Sequence, residues 1–273
     1  MIRSAAIIVN HAHSGACKVL ESVASKLEQL GVKVLPECKA TNSNADIIIA
    51  IGGDGTLLSA AQASGASCAP IFGIFVGKIG FIAEFDIEEA NDTLELAVAG
   101  KLPIRRLMRV ECVVKDSLGV EKASYNALNE IAINKGSRIS EFNVYVNDKL
   151  INHYRADGYM VSTATGSTGY SLSVGGPIVD SSLRLMLLSP ICAHATDSRS
   201  VLISPESVVR IVMADTRHDT TVYCDGKQGI VMTKGDEMLV RQSPFESLFY
   251  YKEGRGFFDH LANKLGWGAT SKC

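Results

Sequence analysis

The chain has 273 residues, of which 47% are hydrophobic and 21% charged, and its formal charge is −2. A chain of that length holds one large domain or two modest ones and buries a full core without disulfide or metal staples. The near-neutral balance of scattered charges excludes a basic stripe for nucleic acid and a polybasic membrane patch.

The first predicted element is a strand over Ala5 to Val9. Val19, Leu20, Val23, Leu27 and Leu30 then recur at helical spacing and stop at Gly31. In DIIIAIGGDGTLLSAA, residues 46–61, the run Ile47, Ile48, Ile49, Ala50, Ile51 predicts a central parallel strand buried on both faces. After Thr56 the residues suit a helix, so Gly52, Gly53 and Gly55 fall at a strand-to-helix turn, where backbone N–H groups and the helix dipole favour phosphate. Tight-turn glycines alone would explain such a pattern; Asp54 shifts the weight. An acid facing phosphate is unfavourable unless it takes the proton of an incoming hydroxyl or helps hold a metal. The turn lacks the lysine of a Walker A loop and the spacing of a dinucleotide-binding fingerprint.

Another strand is predicted in APIFGIFVG, then a helix over about Ile87 to Val98 ended by Gly100. Such alternation predicts an α/β domain with a parallel, Rossmann-like sheet over residues 1–101. Beyond Pro103 the texture is β-rich: MRVECVVKD, ALNEIAINK, EFNVYVND, SVVRIVMAD and EMLVRQSP are short segments separated by turns such as VNDK and CDGK. These define a β-rich, sandwich-like domain over 102–254. GFFDHLANKLGW, in residues 255–273, predicts a C-terminal helix that packs back on the first domain.

Seven separated cysteines without a CxxC pair read as reduced and structural, and the six histidines show no metal-ligand spacing. No apolar run reaches the ~20 residues of a membrane span, and the opening residues do not form a signal peptide, so a cytoplasmic location is expected.

Within the β-rich half, RADGYMVSTATGSTGYSLSVGGP, Arg155 to Pro177, crowds hydroxyls and glycines behind the strand-like YMVST. That is where a rigid element presents a ligand loop, although the same composition also makes plain surface loops. Asn129 and Glu130 interrupt an apolar strand upstream and need partners if buried; the ordinary alternative is an edge strand with a solvated carboxylate.

Four blocks in order make the chain resemble the NAD kinase family: GGDGT at Gly52–Thr56, GKIGFIAEF at Gly77–Phe85, NE at Asn129–Glu130, and DGYMVSTATGSTGYSLSVGGPIV at Asp157–Val179. A late Asp-Gly turn at Asp225–Gly226 adds to them. GGDGT is shared with diacylglycerol-type lipid kinases, whereas the long block is specific. The resemblance implies transfer of the γ-phosphate of ATP to the 2′-hydroxyl of the adenosine ribose of NAD, with a divalent cation, Mg²⁺, and NAD bound between two domains. It also implies a homodimer or homotetramer. It assigns Asp54 as the base at the ribose, Gly52, Gly53, Gly55 and Thr56 to the ATP phosphates, and Asn129, Glu130, Thr165, Thr168, Tyr170 and Ser173 to the adenosine. Asp157 would meet the nicotinamide half, and Arg155 joins the NAD-binding set; no metal ligand is assigned. Ala164 and Gly169 stand where the family usually has proline and alanine, Phe75 where it has a polar residue, and Ser181 where proline is frequent, which leaves the free loop less restricted. The rival readings are a lipid kinase, which leaves the Asn129–Glu130 pair unexplained, and a noncatalytic nucleotide sensor, against which Asp54 argues.

Overall fold

The computed structural model describes residues 2–13, 15–35, 45–77, 80–135, 139–194, 198–215 and 220–266. The chain divides into two compact units, Met1–Leu107 with Phe245–Cys273, and Met108–Pro244.

The first unit begins with strand β1 (Ser4–Val9), helix α1 (Ala16–Gln29), the short β2 (Lys33–Val34), β3 (Ile47–Ile51), α2 (Asp54–Ser64), β4 (Ile71–Ile74) and α3 (Ala90–Val98). β2, β1, β3 and β4 lie side by side in that order, all parallel. All five residues of β3 are fully buried, as an unbroken β-branched run with helices on both sides requires. The buried stripe of α1 is Ala16, Val19, Val23 and Leu27, spaced three and four apart, and Gly31 at φ +74° allows the chain to turn away after it. Helix α2 lies tight on the sheet, because a Cβ on Gly73 in β4 would come within 2.7 Å of Leu57.

Strand β5 (Ile104–Lys115) passes into the second unit, followed by β6 (Glu121–Ala127), β7 (Glu130–Lys135), β8 (Ser140–Val146), β9 (Lys149–Ala156) and β10 (Gly158–Thr163). The short helix α4 (Tyr170–Ser173) precedes β11 (Met186–Ile191), β12 (Val201–Ile203), β13 (Val209–Asp215), β14 (Thr220–Cys224), β15 (Lys227–Met232) and the long β16 (Glu237–Tyr250). One antiparallel sheet runs β12-β11-β10-β7-β14-β15, while β16, β13, β8 and β9 form a second antiparallel run. Alternate residues of both face one core: Ile131 and Ile133, Tyr159 and Val161, Phe142 and Val144, Val209 and Ile211. The turns VNDK and CDGK are tight hairpins, with Asn147, Asp148, Asp225 and Gly226 all at positive φ.

The last described element is α5 (Phe257–Leu265), whose Leu261 and His260 are buried within the first unit. Among the described residues no helix is long and apolar enough to cross a membrane. Five described cysteines are free; Cys112 and Cys224 are buried, whereas Cys17 and Cys192 are exposed and play no part in the core. Cys38 and Cys273 lie outside the described residues.

Candidate functional site

The glycine turn differs in detail from its expected form. Helix α2 begins at Asp54, so Gly55 and Thr56 belong to its first turn and Gly53 is its N-cap. Only Gly52 needs its conformational freedom: its φ is +154° and a Cβ would strike the Thr56 hydroxyl at 2.3 Å. A Cβ on Gly53 or Gly55 would meet nothing within 4 Å. Both border a cavity of about 370 Å³ lined also by Asn10, His13, Thr56 and Ser59. The first N–H groups of a helix have no partner inside it, so this cavity lies at an anion-binding end.

The Asp54 carboxylate is held from outside its own helix. Its Oδ2 accepts the Phe81 backbone N–H at 3.0 Å and its Oδ1 that of Ile82 at 3.3 Å. Close approach explains Gly80, where a Cβ would come within 1.8 Å of Oδ1. The segment is tied to the sheet by the Phe75–Phe85 backbone bond of 2.9 Å and by stacking of Phe85 on Phe72 at 4.3 Å. The ammonium of Lys264, from α5, lies 3.5 Å from Oδ2.

In the second unit a connection replaces the interrupted strand expected at Asn129–Glu130: β6 ends at Ala127 and β7 starts at Glu130. The reading of a solvated edge carboxylate is overturned, since β7 lies between β10 and β14 and Glu130 is 6% exposed. Asp225 folds the connection around itself, accepting the N–H groups of Leu128 at 2.9 Å, Asn129 at 2.7 Å and Glu130 at 3.2 Å. Burial pushes the Asp225 carboxyl up, and those three N–H groups and Arg109 oppose the rise. Burial first, and the neighbouring Asp225 charge second, push Glu130 up to about 8. Asp225, with three donors, is therefore the member of the pair that favours the charge, and Glu130 the member that favours the proton.

The hydroxyl loop packs on this connection. The Thr163 hydroxyl donates to the Leu128 carbonyl at 2.6 Å, the Thr163 N–H donates to the Asn129 carbonyl at 2.8 Å, and a Cβ on Gly166 would strike that carbonyl at 2.3 Å. Gly169 leaves room for the side chains of Asn129 and Glu130, 3.3 and 3.7 Å from where its Cβ would stand. Asn129 Oδ1 and Glu130 Oε2 are buried and accept no hydrogen bond from the described residues.

The ATP-NAD kinase N-terminal domain matches residues 37–102 and the ATP-NAD kinase C-terminal domain residues 128–251. A curated NAD kinase from Desulforamulus reducens is 32% identical over 95% of this chain and 96% of its own length. One from Caldanaerobacter subterraneus is 38% identical over 82% of this chain and 79% of its own. This chain belongs to the NAD kinase family. Among solved structures, an NAD kinase from Archaeoglobus fulgidus in complex with ATP matches 96% of this chain and 98% of that one, with a TM-score of 0.78 at 27% identity. Yeast NADH kinase complexed with NADH, at 19% identity and a TM-score of 0.90, shares the fold over 98% of this chain and 89% of its own.

Of the residues singled out by the NAD kinase resemblance, Asp54, Gly52, Gly53, Gly55 and Thr56 gather at the first turn, and Asn129, Glu130, Thr165 and Thr168 at the second. Thr165 is buried, and its carbonyl accepts the Thr168 hydroxyl at 3.4 Å. Tyr170 and Ser173 are exposed on α4; the Tyr170 hydroxyl accepts from the Asn134 amide at 3.4 Å, and partial burial pushes its pKa up. Asp157 is ion-paired with Lys135 at 2.5 Å. Arg155 stands apart on β9, its guanidinium 3.0 Å from Glu141. Of the GKIGFIAEF block, residues 78 and 79 lie outside the described residues. Sequence reasoning assigned no role to Gly80 and Lys264; Gly80 was legible as part of that block, whereas nothing in the sequence links Lys264 to Asp54.

Proposed function

We propose that the chain, acting in the cytoplasm, transfers the γ-phosphoryl group of ATP to the 2′-hydroxyl of the adenosine ribose of NAD, giving NADP and ADP. The observation that carries this reading is a part-exposed carboxylate, Asp54, in the first turn of α2, where two glycines open a cavity to backbone N–H donors. A ribose hydroxyl is a poor nucleophile at neutral pH, so Asp54 accepts its proton while the 2′-oxygen bonds to the γ-phosphorus and the bond to the bridging oxygen of ADP breaks. The N–H groups of Gly53 and Gly55 steady the phosphate oxygens, while those of Gly52 and Thr56 donate to the carbonyls of Ile74 and Gly53, both at 2.9 Å, so that these two residues shape the turn.

Asn129 and Glu130 hold the adenosine, with Thr165, Thr168 and Ser173 supplying hydroxyls and Tyr170 an aromatic face. A protonated Glu130 offers an O–H donor as well as an acceptor. Asp157 meets the nicotinamide half, with Arg155 as a further NAD contact. Among the described residues no group of three His, Cys, Asp or Glu side chains is placed to cage a metal. The donor set, a single carboxylate at the turn, fits a Mg²⁺ that arrives on the phosphates of ATP and offsets their charge. Assembly as a homodimer or homotetramer is part of the same proposal.

The test is product analysis after incubation with ATP, Mg²⁺ and NAD. Phosphorus NMR and mass spectrometry are expected to show NAD carrying one new phosphate, on the adenosine 2′-oxygen. A 3′-phosphate, or transfer to diacylglycerol with none to NAD, would sink the assignment.

A further inference from the structure

Helix α5 brings a cation to Asp54 from the far end of the chain. The helix is capped by Gly256, whose N–H donates to the Asp259 carboxylate at 2.7 Å, and one face of it carries His260 and, four residues on, Lys264. His260 is 2% exposed and its Nε2 lies 3.6 Å from Oε2 of Glu84, itself 3% exposed. The other Glu84 oxygen lies 3.6 Å from Arg105, and Arg255 donates to the Glu84 carbonyl. Glu84 is two residues beyond Ile82, so the segment that holds the Asp54 carboxylate through its backbone also seats α5 through its side chain. One turn after that anchor, the Lys264 ammonium is 3.5 Å from Asp54 Oδ2 and 5.3 Å from the ring centroid of Phe81, whose N–H donates to the same oxygen.

We propose that Lys264 is a positioning residue of the Asp54 base: its charge holds the carboxylate in the rotamer set by Phe81 and Ile82 and offsets repulsion between that carboxylate and the incoming polyphosphate. The inference rests on Asp54 being the base. Two contacts of different kind converge on one oxygen, a fixed N–H and a mobile ammonium, and the ring of Phe81 limits where the ammonium goes. Without the cation the carboxylate keeps only hydrogen bonds of 3.0 and 3.3 Å, and a triphosphate nearby would drive it away. Because Lys264 is 38% exposed, replacing it leaves the core intact.

The experiment compares Lys264→Met, Lys264→Arg, Asp54→Asn and the Asp54→Asn/Lys264→Met double variant at saturating ATP. Lys264→Met is expected to lose about 10- to 100-fold in kcat, with the KM for NAD and the melting temperature unchanged, as for a misplaced catalytic group. Lys264→Arg keeps the charge and is expected to recover most of that turnover. In the Asp54→Asn background Lys264→Met is expected to cost nothing further, because it acts through the carboxylate. Parental kcat in Lys264→Met, a Lys264→Arg rate as low as that of Met, or a full additional loss in the double variant would each overturn the proposal. Failure of the base reading itself is seen separately, as parental turnover in Asp54→Asn alone.

Discussion

Asp54 and Asp225 are both aspartates at turns, and both accept backbone N–H groups from a distant stretch of chain, yet one keeps part of its carboxylate open and the other does not. Asp54 takes two such bonds, at 3.0 and 3.3 Å, with its side chain 27% exposed beside a cation. Asp225 takes three, at 2.7 to 3.2 Å, at 8% exposure. A carboxylate that takes three donors and is closed to solvent has little access for chemistry, and its energy goes into holding the connection before β7. A carboxylate held on fewer, longer bonds is oriented but still available. The same device therefore serves architecture in the second unit and, on the proposed function, catalysis in the first.

The contrast breaks most readily at Asp225. Replacing it with alanine leaves three N–H groups buried without an acceptor and removes the anion beside Arg109, so Asp225→Ala is expected to cost about 3–5 kcal/mol of stability. Urea unfolding measures it. A cost below 1 kcal/mol, with the fold retained, would mean that the connection is held by the hydroxyl loop rather than by Asp225.

At Asp54 the corresponding disturbance should leave stability alone and strike turnover. A methyl on Gly80 would overlap Asp54 Oδ1 at 1.8 Å, and the flexible side chain would swing aside. Gly80→Ala is expected to lower kcat by about 10²-fold, near 3 kcal/mol of barrier, while the melting temperature barely moves. Circular dichroism melts and a coupled NADP assay on the same preparation separate the two effects. A variant that turns over at the parental rate would show that the orientation of Asp54 is not set by this segment.

The sequence disclosed the two turns unequally. Local signals were legible: five consecutive buried residues of β3, the 3–4 spacing of α1, the Asn-Asp and Asp-Gly hairpins. The glycine turn was legible as a strand feeding a helix because its cause is also local. What escaped were relations between distant residues. The pair at Asn129–Glu130 read as a break in one strand because residue polarity does not reveal that Asp225 draws three successive N–H groups into a turn there. Nor does residue type separate a solvated glutamate from a buried one; that depends on β10 and β14 flanking β7. Gly80 lay inside a quoted motif, but the reason for it, contact with the Asp54 carboxylate, exists only after folding.

Glu130 sharpens the comparison by an effect that is the smallest over any one unit of pH and builds across several. Its pKa, pushed up to about 8 by burial and then by the Asp225 charge, lies above the ordinary 4.5 of the unfolded chain. Between those values the folded state holds a proton that the unfolded state has released, so stability falls as pH rises. The contribution is fully present below about pH 4.5, declines through the interval, and is gone above about pH 8. Its slope is at most about 1.4 kcal/mol per pH unit. Glu130→Gln cannot ionise and mimics the neutral acid. The variant's stability relative to the parent is therefore expected to climb steadily when urea unfolding is repeated from pH 5.5 to 7.5, and to level off above pH 8. Parallel lines for parent and Glu130→Gln across that range would mean that Glu130 is ionised in the folded state, and would remove the O–H donor assigned to it at the adenosine.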